Sequence, residues 1–142
     1  MQVNYQGNCD AQIVLLQIIG EHELPLIDEE LSQIKAITQS TDFLLITVQV
    51  DNWNDDLSPW VAEPIFGDAA FAGNAEKLLT RIKNEVIVPL LSEHQDIKIF
   101  AGGYSLAGLF VLWAAYQTNL FEGIAAVSPS VWFPKFVDFV HN

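Results

Sequence analysis

Gly102-Gly103-Tyr104-Ser105-Leu106-Ala107-Gly108 is the stretch that decides the fold. The apolar run Ile97-Lys98-Ile99-Phe100-Ala101 leads into it. A nearly all-apolar stretch from about Ser105 to Tyr116 leads out. The first reads as a buried strand. The second reads as a centrally buried helix, because a helix that is apolar all round must be covered on every side. The turn between them has to be sharp. Strand and helix then approach closely two residues either side of its tip, where only small side chains fit. Gly103 and Ala107 occupy those places. Ser105 stands at the tip, in a strained backbone conformation that pushes its Oγ outward. The helix start behind it offers free N–H groups and a positive dipole end, which suit a developing oxyanion. The backbone N–H of Leu106 is the natural donor.

Outward from this turn, strands and helices alternate. Gln12 to Ile19 is a near-continuous apolar run closed by Gly20, a strand buried on both faces. Leu24 to about Thr38 carries Leu24, Ile27, Leu31, Ile34 and Ile37 at the spacing of one helix face. Phe43 to Val50 is a second strand, followed by a long aromatic and acidic loop from Asp51 to about Gly73. Asn74 is placed to cap the next helix, whose apolar side is Leu78, Leu79, Ile82, Val86 and Leu90. Pro89 should kink that helix or end it early. Gly123 to Val127 is a last strand. The expected architecture is α/β: one domain over 1–142, with a mostly parallel sheet of about four strands and flanking helices. Ligands of such sheets bind at the carboxyl ends of the strands. The segments after the strands are Gly20–Glu23, Asp51–Trp60, Gly102–Leu106 and Ser128–Trp132. Trp53, Trp60 and Trp132 fall in them, and Tyr104 adjoins the serine. They are candidates to wall an apolar substrate pocket, or else to pack the loops together.

The elbow resembles that of the α/β-hydrolases, and within them the esterase group that includes enterochelin esterase and esterase D. The resemblance is carried by Gly102 through Phe110, by Phe121-Glu122-Gly123 and by Ser128-Pro129-Ser130-Val131-Trp132. The loop Trp53-Asn54-Asp55-Asp56-Leu57-Ser58-Pro59-Trp60 is similar to that of a subgroup of small bacterial hydrolases. The resemblance implies that Ser105 is a catalytic nucleophile acting on a small-molecule ester. It also implies a second oxyanion donor after the first strand, at Gly20 or Glu21, and no metal or organic cofactor. Ala107 departs mildly from the usual glycine, and Gly20-Glu21-His22-Glu23 departs from the His-Gly-Gly loop of many relatives.

In that fold the acid and the histidine of the triad follow the serine in chain order. Both are expected beyond residue 142, and the chain is expected to lack the C-terminal part of the domain. The apolar tail Phe133, Phe136, Val137, Phe139 and Val140 then reads as an element made to lie under more chain, or to promote self-association with an open sheet edge. Of the three histidines, His22 follows the first strand, His94 belongs to the opposite end of the sheet and His141 adjoins the last residue. Exposed or structural roles fit them better than catalysis. Asp51, Asp55 and Asp56 read as turn caps in a solvated loop rather than as a cation site.

A net charge of −12, from 18 acidic and 6 basic side chains, repels phosphate backbones and anionic membranes alike. Nucleic acid and membrane are therefore not expected partners. The lone Cys9 and the absence of a leader-like start favour the cytoplasm. Two alternatives to a serine esterase stand. One is a catalytically inactive, truncated remnant. The other is a non-enzymatic α/β domain that binds an anion on the helix start.

Overall fold

The computed structural model describes residues 1–142. At its centre are β2 (Ile13–Ile19), β3 (Leu44–Gln49), β6 (Lys98–Tyr104) and β7 (Phe121–Val127), all parallel to one another. The sequence-based reading placed all of these strands. It did not anticipate β1 (Gln2–Gly7), which pairs antiparallel with β3 and completes a five-stranded sheet in the order β1-β3-β2-β6-β7. A two-stranded ribbon, β4 (Val61–Ala62) with β5 (Phe71–Ala72), lies inside the long loop.

The helices follow their apolar faces. α3 (Ala75–Ile82) and α5 (Leu106–Gln117) cover one face of the sheet together with α2 (Trp53–Leu57). Beneath them Val14, Leu16, Ile18, Ile46 and Val48 form the main core with Leu109 and Phe110. α1 (Ile27–Thr38) lies on the other face, where Ile27 joins Ile19, Phe43 and Leu45 in a smaller cluster. The five-residue apolar face expected of this helix is only partly used. Ile27 is buried, Leu31 and Ile34 are half-buried, and Leu24 and Ile37 are exposed. Leu24 belongs to a separate 3-10 turn, Glu21–Leu26, with Pro25 inside it.

Two local expectations are corrected. Asn74 occupies the N-cap of α3, but its side chain makes no capping bond. Of the kink or early end expected at Pro89, the early end is not seen, because the helix continues as α4 (Val88–Glu93). The turn before it, Lys83–Ile87, widens into a π-helix in which the Val88 N–H reaches Lys83 O. Widening accommodates a ring that has no N–H to donate and would crowd an ordinary turn.

The tail is also corrected. Phe133 and Phe136 are buried in the core of this same chain, at 1% and 3% exposure. α6 (Phe136–His141) lays Phe139 against Trp60 and Tyr116, with ring centroids 5.6 and 5.3 Å apart. The tail is therefore largely covered, leaving Val137 exposed. What stays open is the outer edge of β7 and the α1-side face of β6 and β7, where Tyr104 and Val127 are more than half exposed. An apolar cleft of about 490 Å³ runs there, between Leu26 and Ile34 on one side and Phe100, Ala125 and Val127 on the other. No helix is long and apolar enough to cross a membrane.

Candidate active site

The chain leaves β2 toward β3 on one side and returns to β6 on the other, so the sheet changes direction between β2 and β6. Crevices for ligands open at such points, at the carboxyl ends of the strands. Ile18 pairs with Gly103 across this boundary. Gly20 and Ser105 each lie two residues beyond that pair, so the two loops leave the sheet side by side.

Ser105 joins β6 to α5 with φ 60° and ψ −119°. An L-residue meets steric resistance there and holds the conformation only when its surroundings impose it. Three backbone bonds do so. Ser105 N–H donates to Val127 O at 2.9 Å, and Ser105 O accepts from the N–H groups of Leu109 and Ser130, both at 3.1 Å. The close approach read from Gly103 and Ala107 is present. A Cβ on Gly103 would sit 2.6 Å from Ala107 C and O and 2.8 Å from Ala107 Cβ. Gly108 is crowded too, with Gly103 O 3.1 Å and Pro129 Cα 3.2 Å from where its Cβ would be.

Ser105 is half-buried, and its Oγ lies 3.3 Å from Ser130 Oγ. No histidine or carboxylate hydrogen-bonds to it. The histidines fall where their sequence positions put them. His22 stands at the ligand end, edge-on to Trp53 with ring centroids 4.8 Å apart. His94 lies at the opposite end, 3.9 Å from Asp10 and beside the start of β6. His141 is exposed at the end of α6.

After β2, Glu23 folds back over Gly20. Its carboxylate, in a residue only 8% exposed, accepts the Gly20 N–H at 2.8 Å. A Cβ on Gly20 would come within 2.6 Å of His22 Cε1 and 2.8 Å of Trp53 Cε3, so those two rings would have to move to admit one. The Gly20 amide is thus engaged, and the neighbouring Glu21 amide is the other sequence candidate for an oxyanion donor. Leu106 opens α5 directly after the serine.

The four aromatic candidates separate. Trp60 donates from Nε1 to Pro134 O at 2.8 Å and packs on Phe133 and Phe139, so it ties the tail to the core. Trp53 props His22. Trp132 stands T-shaped to Phe66 at 5.0 Å and to Phe71 at 6.3 Å, and is nearly half exposed. Tyr104 points to the open face and borders the cleft there, with His22 and Val127; Ser105 does not line that cleft. Of the three aspartates expected to cap turns, Asp55 and Asp56 serve backbone amides, while Asp51 pairs with the N-terminal ammonium of Met1. Asp55 accepts from Ala72 N, and Asp56 accepts from Asp51 N and Asn52 N.

Two residues of the site carried no role in the sequence reading. Glu23 was detectable as a carboxylate three residues after a strand-ending glycine, the spacing at which a side chain folds back on a helix start. Ser130 lies in the segment after β7 at the ligand end, but nothing local in the sequence marks its hydroxyl as facing residue 105.

No protein-family model matches the sequence, and no curated protein does. Solved structures do match. The IroE-like serine hydrolase from Shewanella oneidensis superposes with a TM-score of 0.75 at 16% identity, over 98% of this chain and 50% of that one. The siderophore hydrolase EstA from Aspergillus nidulans gives 0.71 at 19% identity, over 97% of this chain and 55% of its own. The BES protein from Bacillus cereus gives 0.66 at 18% identity, over 99% and 63%. This chain spans about half to three-fifths of the length of these neighbours. Element order, parallel sheet, strained serine at the strand–helix junction and these superpositions agree: the chain has the fold of the α/β-hydrolases.

Proposed function

We propose that this chain carries the nucleophile of a serine hydrolase acting on small-molecule esters. One observation bears most of the weight: Ser105 is held at φ 60° between a strand buried on one face and a buried helix. Strain of this kind persists where the fold over-determines it, and such positions cluster at active sites. Ser105 Oγ would attack the ester carbonyl while a histidine takes its proton. Leu106 N–H would hold the oxyanion together with the amide of Glu21, or with that of Gly20 once Glu23 releases it. The alcohol would leave, and water would free the acyl group. The histidine and its acid partner are proposed to lie outside these 142 residues. This chemistry calls for no metal or organic cofactor. Trp132, exposed beside the Ser130 loop, is the aromatic best placed to meet a substrate. Two neighbours are described as siderophore hydrolases, so a siderophore ester is a sensible first substrate. A reducing compartment suits the single exposed Cys9. Self-association would use the open edge of β7 more readily than the covered tail.

A second reading has its own support. Since no base contacts Ser105 Oγ, residues 1–142 by themselves would be inert, a hydroxyl being a weak nucleophile at neutral pH. Intact-mass spectrometry of the native, cell-derived protein with a fluorophosphonate probe separates the two. A single adduct abolished by Ser105→Ala establishes the hydrolase. No adduct on a molecule of 15.8 kDa establishes the inert one.

A further inference from the structure

We propose that Ser130 is a positioning residue for Ser105, an inference that rests on Ser105 being the nucleophile. Ser130 follows β7, yet its side chain is turned inward and the residue is only 2% exposed. Its hydroxyl has one hydrogen-bond partner, Ser105 Oγ at 3.3 Å. A hydroxyl taken out of water needs such a partner, because leaving it unpaired is costly. The contact is not an accident of one rotamer. The backbone N–H of Ser130 donates to Ser105 O at 3.1 Å, so the loop grips the same residue through main chain and side chain. The loop itself is pinned from behind. Phe133 N–H donates to Ser130 O at 3.0 Å, and the Phe133 ring is buried at 1% exposure between Trp60 and Phe71.

The chemistry follows from what a hydroxyl can do. It both donates and accepts, and its hydrogen rotates to suit. At rest, Ser130 can accept the Ser105 proton or donate its own. Once a base withdraws the Ser105 proton, only one arrangement remains favourable, with Ser130 O–H donating to the oxygen that is gaining charge. The Ser130 proton stays on Ser130, and no bond to it is made or broken. A bond to a charged oxygen is shorter and stronger than a neutral one. The resting separation of 3.3 Å is longer than the usual O–H···O distance of about 2.8 Å, so it can shorten as charge builds. An interaction that strengthens toward the transition state raises the rate of the chemical step rather than the affinity for substrate.

The test is inactivation of the native, cell-derived chain by a fluorophosphonate, followed over probe concentration and pH. Wild type is compared with Ser130→Ala and Ser130→Thr. The alanine variant should lower the limiting rate about tenfold or more, the value of one hydrogen bond to a developing charge. It should leave the half-saturating probe concentration unchanged and move the rate–pH profile to higher pH. Threonine, which keeps the hydroxyl, should restore most of the rate. If alanine does not fold, Ser130→Cys keeps the site filled with a somewhat larger, only weakly donating thiol and should show the same loss. Labelling of Ser105 in Ser130→Ala at the wild-type rate, with the same pH profile, would overturn the positioning role and leave the nucleophile standing. Absence of labelling at Ser105 in the wild type would overturn both.

Discussion

Gly103→Ala is the substitution whose effect the structure predicts most directly. The added Cβ would lie 2.6 Å from Ala107 C and O, where ordinary contact begins at 3.4 Å. The strand and the helix must therefore part by about 0.8 Å, the difference between those two distances. The obstructing atoms are backbone, so no side chain can swing aside. Overpacking of this sort costs about 2–3 kcal/mol. Reducing the freedom of the unfolded chain returns roughly 0.5 kcal/mol. A net loss near ~2 kcal/mol corresponds to a fall in melting temperature of about 8 °C for a chain of this size. Gly102→Ala is the control next door. Its Cβ would meet Ala125 O at 3.3 Å and Ala125 Cβ at 3.5 Å, within reach of a small adjustment. Neither glycine has a positive φ, so the comparison isolates close approach from backbone strain. Gly102→Ala should stay within about 2 °C of wild type. Thermal melts followed by tryptophan fluorescence and by circular dichroism give both numbers and check that the transition is two-state. Equal effects from the two substitutions would refute the close approach of β6 and α5 at Ala107.

Ser105→Gly and Ser105→Ala both remove the hydroxyl, but only glycine relieves φ 60°. Glycine should be the more stable by about 1–2 kcal/mol in urea titration. Glu23→Ala leaves the buried Gly20 N–H without its acceptor and should cost about 1–3 kcal/mol, while Glu23→Gln, which keeps a carbonyl oxygen, should cost less. Phe133→Ala empties a site buried at 1% exposure. It should destabilise by about 3–5 kcal/mol and sharply raise proteolysis of residues 128–142, if the tail belongs to the core as described.

The sheet was legible because its four parallel strands are mostly apolar, although β2, expected to be buried on both faces, is exposed at Ile13 and only half-buried at Leu15 and Gln17, and β7 has no fully buried residue. β1 was not legible, since an edge strand with the burial of Gln2–Gly7, exposed at four of six positions, leaves only Val3 and Tyr5 as a faint alternation. The two-residue ribbon lies below any periodic signal. The amphipathic spacing of α1 was read correctly but over-read in consequence, because periodicity says which residues share a face and not whether anything covers it. At the site, Ser105 announced itself through its small neighbours, which are a local cost of the turn. Ser130 did not, because its partner is 25 positions away and a loop serine has no pattern to betray its direction. The tail misled for a related reason: apolar residues announce a need for burial without naming the surface that satisfies it.

The clamps on Ser105 all come from later in the chain. Its N–H is held by Val127 and its carbonyl oxygen by Leu109 and Ser130. During synthesis, which proceeds from the amino terminus, β6 and α5, with Leu109, emerge before Val127 and Ser130, which supply the other two bonds. A nascent chain halted near residue 120 would already have the strand, the helix, the serine and the Leu109 bond, yet neither the Val127 nor the Ser130 clamp that helps hold φ 60°. The reactive shape is thus among the last features this segment acquires. That order shields an incompletely made chain from carrying an exposed, primed hydroxyl.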